Sequence, residues 1–336
     1  MSFAARMALL TVSAGLLGLG DARAEPRFAV VDLHVDLPYQ LAYQQRTLRE
    51  GSGQASLSAL RAGGARGVVL PLFVPRDVSP TGPRASDLEH SYLRVFAELS
   101  RGEGLAQPGC AQATGIQTWL SFEGAGPLAA APDSLDAWVA RGVRVLGLVH
   151  TEHNALASSS GDRRPAAFGL TAAGVELVER AHARGIPVDV SHASNRAVSE
   201  VLEVARRTGG VVVATHSNAR ALCDHPRNLS DEQLRAIAAT GGVIGLNFHS
   251  PFVVRGRAAT LADVVRQAKH LLRVAGADHV ALGADFEGGI RPAKGLEDAS
   301  RFPRLASALL SSGVGESAIR KLFSENALRV LCPQSN

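Results

Sequence analysis

The sequence predicts one domain in which eight parallel β-strands close into a barrel with helices around it, a (β/α)8 barrel of the TIM type. Short runs of valine, isoleucine and leucine alternate with amphipathic helical segments along the chain. The runs are apolar along most of their length, which is typical of a parallel sheet covered by helices. The predicted strands are residues 28–36, 67–74, 118–125, 143–150, 186–192, 211–217, 243–249 and 279–286.

Capping residues mark several of the intervening helices. Thr171, Ser230 and Thr260 each precede an amphipathic run, and side-chain oxygens of this kind accept hydrogen bonds from the first helical turn. The first and third of these runs end at Gly185 and Gly276, as expected where a helix stops before a strand. Eight strand–helix units favour the barrel over the alternative, an open doubly wound sheet, which no glycine-rich fingerprint supports.

The composition is that of a globular protein. Of 336 residues, 46% are hydrophobic and 20% are charged, which excludes a disordered chain. The formal net charge is +4, and the lysines and arginines form no run. A nucleic-acid-binding protein would cluster its positive charges, so we expect no nucleic-acid partner.

Residues 1–24 have the pattern of a secretory signal peptide. Arg6 precedes an apolar stretch that extends from Met7 to about Gly20, and residues 22–24 (Ala-Arg-Ala) have the form of a cleavage site. The stretch is shorter than the ~20 residues that a bilayer-spanning helix needs, although a retained anchor is the alternative. We therefore expect export to the periplasm or beyond, no stable membrane span after cleavage, and one barrel domain over residues 25–336.

The three cysteines do not identify a pairing. Cys110, Cys223 and Cys332 are too far apart in sequence for a zinc cluster of the CxxC kind. An exported protein could form one disulfide and keep one thiol. The sequence leaves open whether any pair is bonded.

Ionisable side chains are concentrated where the predicted strands end. In a parallel barrel these ends meet at one rim, where barrel enzymes carry their chemistry. Buried carboxylates repel one another unless a cation balances them, and imidazole with carboxylate is a typical zinc donor set. The pattern therefore predicts a metal centre at the rim. The residues are His34, Asp36, Glu123, His150, His192, His216, His249 and Asp285.

The number of candidate ligands favours two metal ions over one. Two ions that share a carboxylate lie ~3.5–4 Å apart in binuclear sites, and Glu123 is the natural candidate for the bridge. Water held between two zinc ions loses a proton near neutral pH and becomes a nucleophile. The residues therefore indicate metal-assisted hydrolysis.

Six stretches in order between residues 32 and 289 carry a family resemblance. They are DLHVDLPYQL, SFEGAGPL, RVLGLVHTEHNALASSSGD, GLTAAGVELVERAHARGIPVDVSHAS, VVVATHSNARALCDHPRNLSDEQLRAIAATGGVIGLNF and DHVALGADFEGG. On these stretches the chain resembles the membrane dipeptidase (renal dipeptidase) family of zinc peptidases. The resemblance implies a distorted (β/α)8 barrel of the amidohydrolase kind and hydrolysis of dipeptides. Dimers are common in that family, which leaves a homodimer open.

The resemblance also implies a ligand set for two zinc ions. His34 and Asp36 look like ligands of the first ion. Glu123, together with a water or hydroxide, looks like the bridge to the second. His192 and His216 look like the remaining ligands of the second ion.

Three further positions are similar to residues that act on the substrate in this family. His150 is similar to the histidine that polarises the peptide carbonyl. Arg227 looks like the arginine that binds the substrate's C-terminal carboxylate. Asp285 matches the substrate-contacting residue that takes a proton from the bridging water and delivers it to the leaving amine.

The chain departs from the family at positions that are not implied ligands. Gly124-Ala125-Gly126 stands where Gly-Gly-His is usual, Val35 where Asn is common, and His249 where an aromatic residue is expected. These changes leave the side-chain preference open. Two alternatives to a dipeptidase remain. The same site could act on another small amide, such as an N-acyl amino acid or a β-lactam, or the barrel could bind without catalysis.

Overall fold

Eight parallel strands form a barrel in the computed structural model, which describes residues 27–47, 53–76, 78–79, 82–102, 104–110 and 115–333. Hydrogen-bonded neighbours follow the order β7-β6-β5-β4-β2-β1-β9-β8. A parallel bridge between Ala214 and Ile244 joins β7 to β8, and the predicted (β/α)8 barrel is confirmed. The strands are β1 (Val30–Asp32), β2 (Ala65–Leu72), β3 (Leu105–Pro108), β4 (Ile116–Glu123), β5 (Val143–Gly147), β6 (Val188–Asp189), β7 (Val212–Val213), β8 (Ile244–Leu246) and β9 (Val280–Leu282).

All eight predicted strands are present, but most are shorter than predicted. The chain leaves the regular ladder near the strand ends while it keeps some backbone hydrogen bonds to neighbouring strands. After β1, for example, Val35 N donates to Val69 O at 3.0 Å and Asp36 N donates to Phe286 O at 2.8 Å. The sequence analysis missed β3, a four-residue strand that pairs only with the first half of β4.

Twelve α-helices lie in the described residues, and the three predicted caps are confirmed. The Thr171 side chain accepts a hydrogen bond from Gly174 N, while Ser230 and Thr260 both form capping boxes. The helices are α1 (Leu37–Tyr43), α2 (Leu57–Ala62), α3 (Ala85–Leu99), α4 (Leu135–Ala140), α5 (Ala172–Ala183), α6 (Asn195–Thr208), α7 (Asp231–Ala239), α8 (Ser250–Val253), α9 (Leu261–Ala275), α10 (Phe302–Ser311), α11 (Glu316–Arg320) and α12 (Asn326–Leu331).

The core has an inner and an outer layer. Along β4, Trp119 belongs to the small cluster inside the barrel, whereas Leu120 and Phe122 belong to the large cluster between barrel and helices. Because strand side chains alternate, Glu123 falls on the same inner side as Trp119. Helix α12 adds Leu331 and its apolar neighbours to the inner cluster, so the C-terminal helix packs on the barrel interior.

A disulfide joins Cys110 to Cys332, a pairing that the sequence left open. The two residues are 222 positions apart, and Trp119 Nε1 lies 3.3 Å from Cys332 Sγ. A cross-link over so long a loop restricts the unfolded chain and typically contributes about 2–4 kcal/mol of stability. The remaining cysteine, Cys223, is buried with a free thiol.

The predicted signal peptide lies outside the described residues, which begin at Arg27. Within the part of the chain that is described, no helix combines the length and the apolar character needed to cross a membrane.

Candidate metal centre

One oxygen of Glu123 lies at the centre of four imidazoles. Glu123 is the last residue of β4, and its side chain is 7% exposed. Its Oε1 lies 3.0 Å from Nε2 of His192, 3.4 Å from that of His34, 3.6 Å from that of His216 and 3.8 Å from that of His150. The four histidines follow four different strands, so the barrel brings together residues that are up to 182 positions apart. The fold therefore gathers one carboxylate and four imidazoles in a single buried cluster.

Three overlapping groups of side chains could each hold a metal ion. In each group, one potential ligand atom per residue lies within 4.8 Å of the others. All five ligands implied by the resemblance occur in these groups. His150 and Asp285, for which catalytic roles were predicted, also belong to these groups. The groups are His34, Glu123 and His216; Glu123, His150 and His192; and His34, Asp36 and Asp285.

The donor atoms fit a divalent cation of the zinc type. His34 Nε2 is buried and has no hydrogen-bond partner among the described residues, which is costly for a polar atom unless it has another ligand. Nε2 of His192 and Nε2 of His216 are only 2.9 Å apart, so both nitrogens face the same space. Imidazole nitrogens and carboxylate oxygens are the usual ligands of zinc. The residues that would hold the ions are therefore in place.

Burial makes the charged forms of two carboxyls unfavourable. Burial, reinforced by the charges of Glu123 and Asp285, raises the pKa of Asp36 well above its usual value. Burial and the nearby Glu123 raise the pKa of Asp285 to about 6. Burial also acts on Glu123, but His150 and His34 outweigh it and hold the pKa of Glu123 well below its usual value. A cation in the cluster would favour the ionised state of all three carboxyls.

The histidines fall into two electrostatic classes. Burial lowers the pKa of His192 and His216 well below the usual value, and the positive charge of Arg227 adds to the effect. Neutral imidazole is the form that binds metals. For His34 burial also lowers the pKa, but Glu123 and Asp36 overcome it and raise the pKa to about 10. Such negative surroundings attract a proton or a metal cation alike.

Two site residues have a left-handed backbone conformation, which sets the direction of their side chains. His192, after β6, has φ of 69°, and Asp285, after β9, has φ of 67°. For residues other than glycine this conformation costs about 1–3 kcal/mol, and such strain is concentrated at functional sites. Asn247 Nδ2 donates a hydrogen bond to Asp285 Oδ2 at 2.9 Å and so fixes that carboxyl.

Asn247 is a site residue that the sequence analysis missed. It follows β8 directly, and its side chain is fully buried. Its position just beyond a strand, at the same rim as the ionisable residues, is the signal that could have identified it.

A cleft of 420 Å³ opens beside the cluster. Arg227 lines it and is 7% exposed. Its side chain forms one hydrogen bond within the described residues, a long one from Nη2 to His216 O at 3.5 Å, and no carboxylate there lies within ion-pair distance of the guanidinium. The guanidinium carbon lies 5.4 Å from the centre of the Phe252 ring. This buried cation is therefore available to an anionic group in the cleft.

His249 lies in the same cleft and not in the metal cluster. Its Nδ1 accepts a hydrogen bond from Arg291 N at 3.0 Å, which places the proton of the neutral ring on Nε2. Burial, with Arg291 nearby, lowers the pKa of His249 to about 4, so the ring is neutral at physiological pH. The departure from the expected aromatic residue thus adds a polar group to the wall of the cleft.

Two comparisons of sequence give the family. The sequence profile of the membrane dipeptidase family, peptidase family M19, matches residues 23–334. An uncharacterized protein in the pqqA 5′ region of Klebsiella pneumoniae is 40% identical over 218 residues, which are 62% of this chain and 79% of that protein. Dipeptidase aclJ of Aspergillus oryzae is 34% identical over 218 residues, which are 64% of this chain but only about half, 51%, of the relative's length.

Solved structures agree with this result. A metallo peptidase from Rhodobacter sphaeroides, liganded with a phosphinate mimic of the dipeptide L-Ala-D-Ala, superposes with a TM-score of 0.79. It is 27% identical in sequence, and the match covers 90% of this chain and 98% of that one. On the profile match over nearly the whole chain, and on a barrel with candidate metal ligands at its rim, the chain belongs to the membrane dipeptidase family of metallopeptidases.

Proposed function

We propose that the protein is a binuclear zinc dipeptidase. The observation that carries the proposal is the position of Glu123 Oε1, which lies within 3.8 Å of four imidazole nitrogens in a buried cluster. Glu123 would bridge two zinc ions, with His34 and Asp36 on one and His192 and His216 on the other. Two bound zinc ions would supply a water that is deprotonated at neutral pH and would act as Lewis acids toward the peptide carbonyl.

Asp285 would carry the proton between the attacking water and the leaving amine. A carboxylate held beside the attacking water can accept its proton and release it to the leaving group. The hydrogen bond from Asn247 keeps its Oδ2 in one orientation, and its carboxyl lines the cleft. This supports the role that the family resemblance assigns to it.

His150 would stabilise the charge that develops on the peptide oxygen. Its ring lies 4.2 Å from that of Phe73, where the wall of the cleft meets the metal cluster. Burial lowers the pKa of His150, so the ring enters the reaction neutral and acts as a hydrogen-bond donor. Donors fixed in advance at this position stabilise an oxyanion better than water does.

Arg227 would bind the substrate's C-terminal carboxylate. A guanidinium forms two parallel hydrogen bonds to a carboxylate, and this one lacks an ion-pair partner in the described structure. Because Arg227 and the metal cluster line the same cleft, a substrate that reaches both is short. The dipeptide mimic bound to the Rhodobacter sphaeroides relative supports a dipeptide as the substrate class.

Blocking the substrate's carboxylate tests this proposal. We expect the zinc-loaded protein to cleave a dipeptide at least about 30-fold faster, in kcat/KM, than the same dipeptide with a C-terminal amide, since the loss of one partner of a buried charge pair costs about 2–5 kcal/mol. Arg227→Met should remove most of this preference and leave the zinc content unchanged. Equal hydrolysis of acid and amide by the wild type would contradict the role of Arg227.

We also propose that the protein is exported. The signal-peptide pattern of residues 1–24 supports export, and so does the disulfide, because such bonds persist in oxidising compartments. Mass spectrometry of the protein from a periplasmic fraction should find Glu25 as the first residue, with Cys110 and Cys332 protected from alkylation. Full-length protein that remains in the cytoplasm with both thiols reactive would contradict export.

A further inference from the structure

A buried hydrogen-bond network lies directly behind the histidine cluster. Asp189, the last residue of β6, accepts hydrogen bonds through Oδ1 from Ser191 N and Thr215 N, each at 2.9 Å. Its Oδ2 lies 2.5 Å from the hydroxyl of Thr215. The same hydroxyl lies 2.9 Å from Nδ1 of His216 and 3.4 Å from Nδ1 of His34. One threonine hydroxyl thus connects a buried carboxylate to two candidate metal ligands.

The donors and acceptors in this network have a defined direction. A carboxylate can only accept, so the single proton of the Thr215 hydroxyl points to Asp189 Oδ2. The hydroxyl oxygen then has only lone pairs left for the two imidazoles. Each Nδ1 that bonds to it must therefore carry a hydrogen, and the proton-free nitrogen of a neutral ring becomes Nε2. His34 Nε2 and His216 Nε2 are the atoms that face Glu123.

We propose that Asp189 and Thr215 are positioning residues that hold His216, and more weakly His34, in the Nδ1–H tautomer that presents Nε2 to a metal ion. This inference rests on the binuclear zinc site of the proposed function. Partners of this kind behind a metal ligand fix its ring orientation and its tautomer. The Thr215 hydroxyl lies closer to His216 Nδ1 than to His34 Nδ1. We therefore expect the ion bound by His216 to depend more strongly on this network than the ion bound by His34.

The backbone around Thr215 leaves this residue no room to shift. A Cβ on Gly245 in β8, or on Gly283 just after β9, would lie 1.8 Å from Thr215 O, so both segments approach the threonine backbone as closely as glycine allows. On the β6 side, His216 N donates to Ser191 Oγ at 3.1 Å. Asp189 therefore ties together the two segments that carry His192 and His216, and the hydroxyl is held in place behind the rings.

Asp189→Asn is the sharpest test, because it reverses the direction of the network while it keeps the number of hydrogen bonds. The amide oxygen would still accept from the two backbone N–H groups, and the amide nitrogen would then donate to the Thr215 hydroxyl. The hydroxyl proton would turn to His216 Nδ1 and leave the ring proton on Nε2, where the metal should bind. We expect affinity for one zinc ion to fall by about 10- to 100-fold.

Two readouts separate this effect from a general loss of structure. Competition with a chelating dye gives the zinc dissociation constants, and two-bond proton–nitrogen NMR spectra of the metal-free protein identify the His216 tautomer. The tautomer should change from Nδ1–H to Nε2–H in Asp189→Asn. Thr215→Ser keeps the hydroxyl and should retain wild-type zinc affinity. Thr215→Val lacks the hydroxyl and should bind zinc more weakly.

Thr118→Val is the matched control. Thr118 is as fully buried as Thr215, and its hydroxyl donates to Ala106 O at 2.8 Å, away from the histidines. This variant should lose stability but keep wild-type zinc affinity. A wild type that binds two zinc ions, together with an Asp189→Asn variant of unchanged affinity and tautomer, would overturn the positioning role alone. A folded wild type that binds no zinc would overturn the proposed function, and the positioning role with it.

Discussion

Several site residues are buried so deeply that their charged or polar groups would be unfavourable without a partner. Asp36 is 3% exposed and lies among other carboxyls, and His34 Nε2 has no hydrogen-bond partner in the part of the chain that the structure describes. An ionised group in such surroundings needs a charged or hydrogen-bonding partner. The proposed pair of cations would provide it, so the same residues that would catalyse the reaction would also gain stability from metal binding.

Replacement of Asp285 by asparagine separates proton transfer from metal binding. Asp285→Asn should still accept the hydrogen bond from Asn247 and keep the wild-type zinc content, but it cannot carry a proton. We expect kcat for a dipeptide to fall by about 10²–10⁴-fold, the usual range for loss of a general acid–base group.

Glu123→Ala provides the contrast for this measurement. Because Glu123 contacts all four imidazoles, its removal should release metal as well as abolish turnover. Loss of zinc from Asp285→Asn would instead make Asp285 a ligand, as its group with His34 and Asp36 would allow.

At the scale of elements, the regular strands and helices were predictable and the irregular segments beyond them were not. Apolar runs identified the eight barrel strands, and Ser230 and Thr260 identified helix starts, because both signals are local in sequence. The φ of 67° at Asp285 and the contact of Asn247 with it depend on packing between distant segments. The strand-end pattern supplied the ionisable residues of the rim, and the resemblance supplied their roles. Asn247, Asp189 and Thr215 appeared only in the structure.

The turn after β9 has room for the site only because residue 288 is glycine. A Cβ at Gly288 would lie 2.6 Å from Asp36 Oδ2 and 2.9 Å from Asp285 Oδ1. Gly288→Ala should therefore displace both carboxylates, and we expect activity to fall by about 10²-fold, because a shift of 1 Å at a catalytic group can have that effect.

The matched control for Gly288→Ala is Gly315→Ala. A Cβ at Gly315 would meet no atom of the described residues within 4 Å, so this variant should keep wild-type activity and zinc content. Wild-type activity in Gly288→Ala would show that the two carboxylates are not held at the positions described above.

At the scale of the whole molecule, the candidate site lies at the C-terminal ends of the strands, and a disulfide lies on the other side of the inner core. The disulfide between Cys110 and Cys332 fastens the end of α12, which packs on the barrel interior beside Trp119. Their proximity follows from the packing of α12, which no local pattern in the sequence reveals. The barrel itself was predictable because alternation of strands and helices is repeated along the whole chain.

The proposed function requires that the cluster around Glu123 binds two zinc ions and that dipeptide hydrolysis depends on them. Elemental analysis of protein purified without chelator, combined with hydrolysis of a small dipeptide panel, tests it most directly. We expect about two zinc ions per chain, as in other binuclear hydrolases, with activity that a chelator removes and added zinc restores. Folded protein that holds no metal and cleaves no dipeptide would contradict the proposed function.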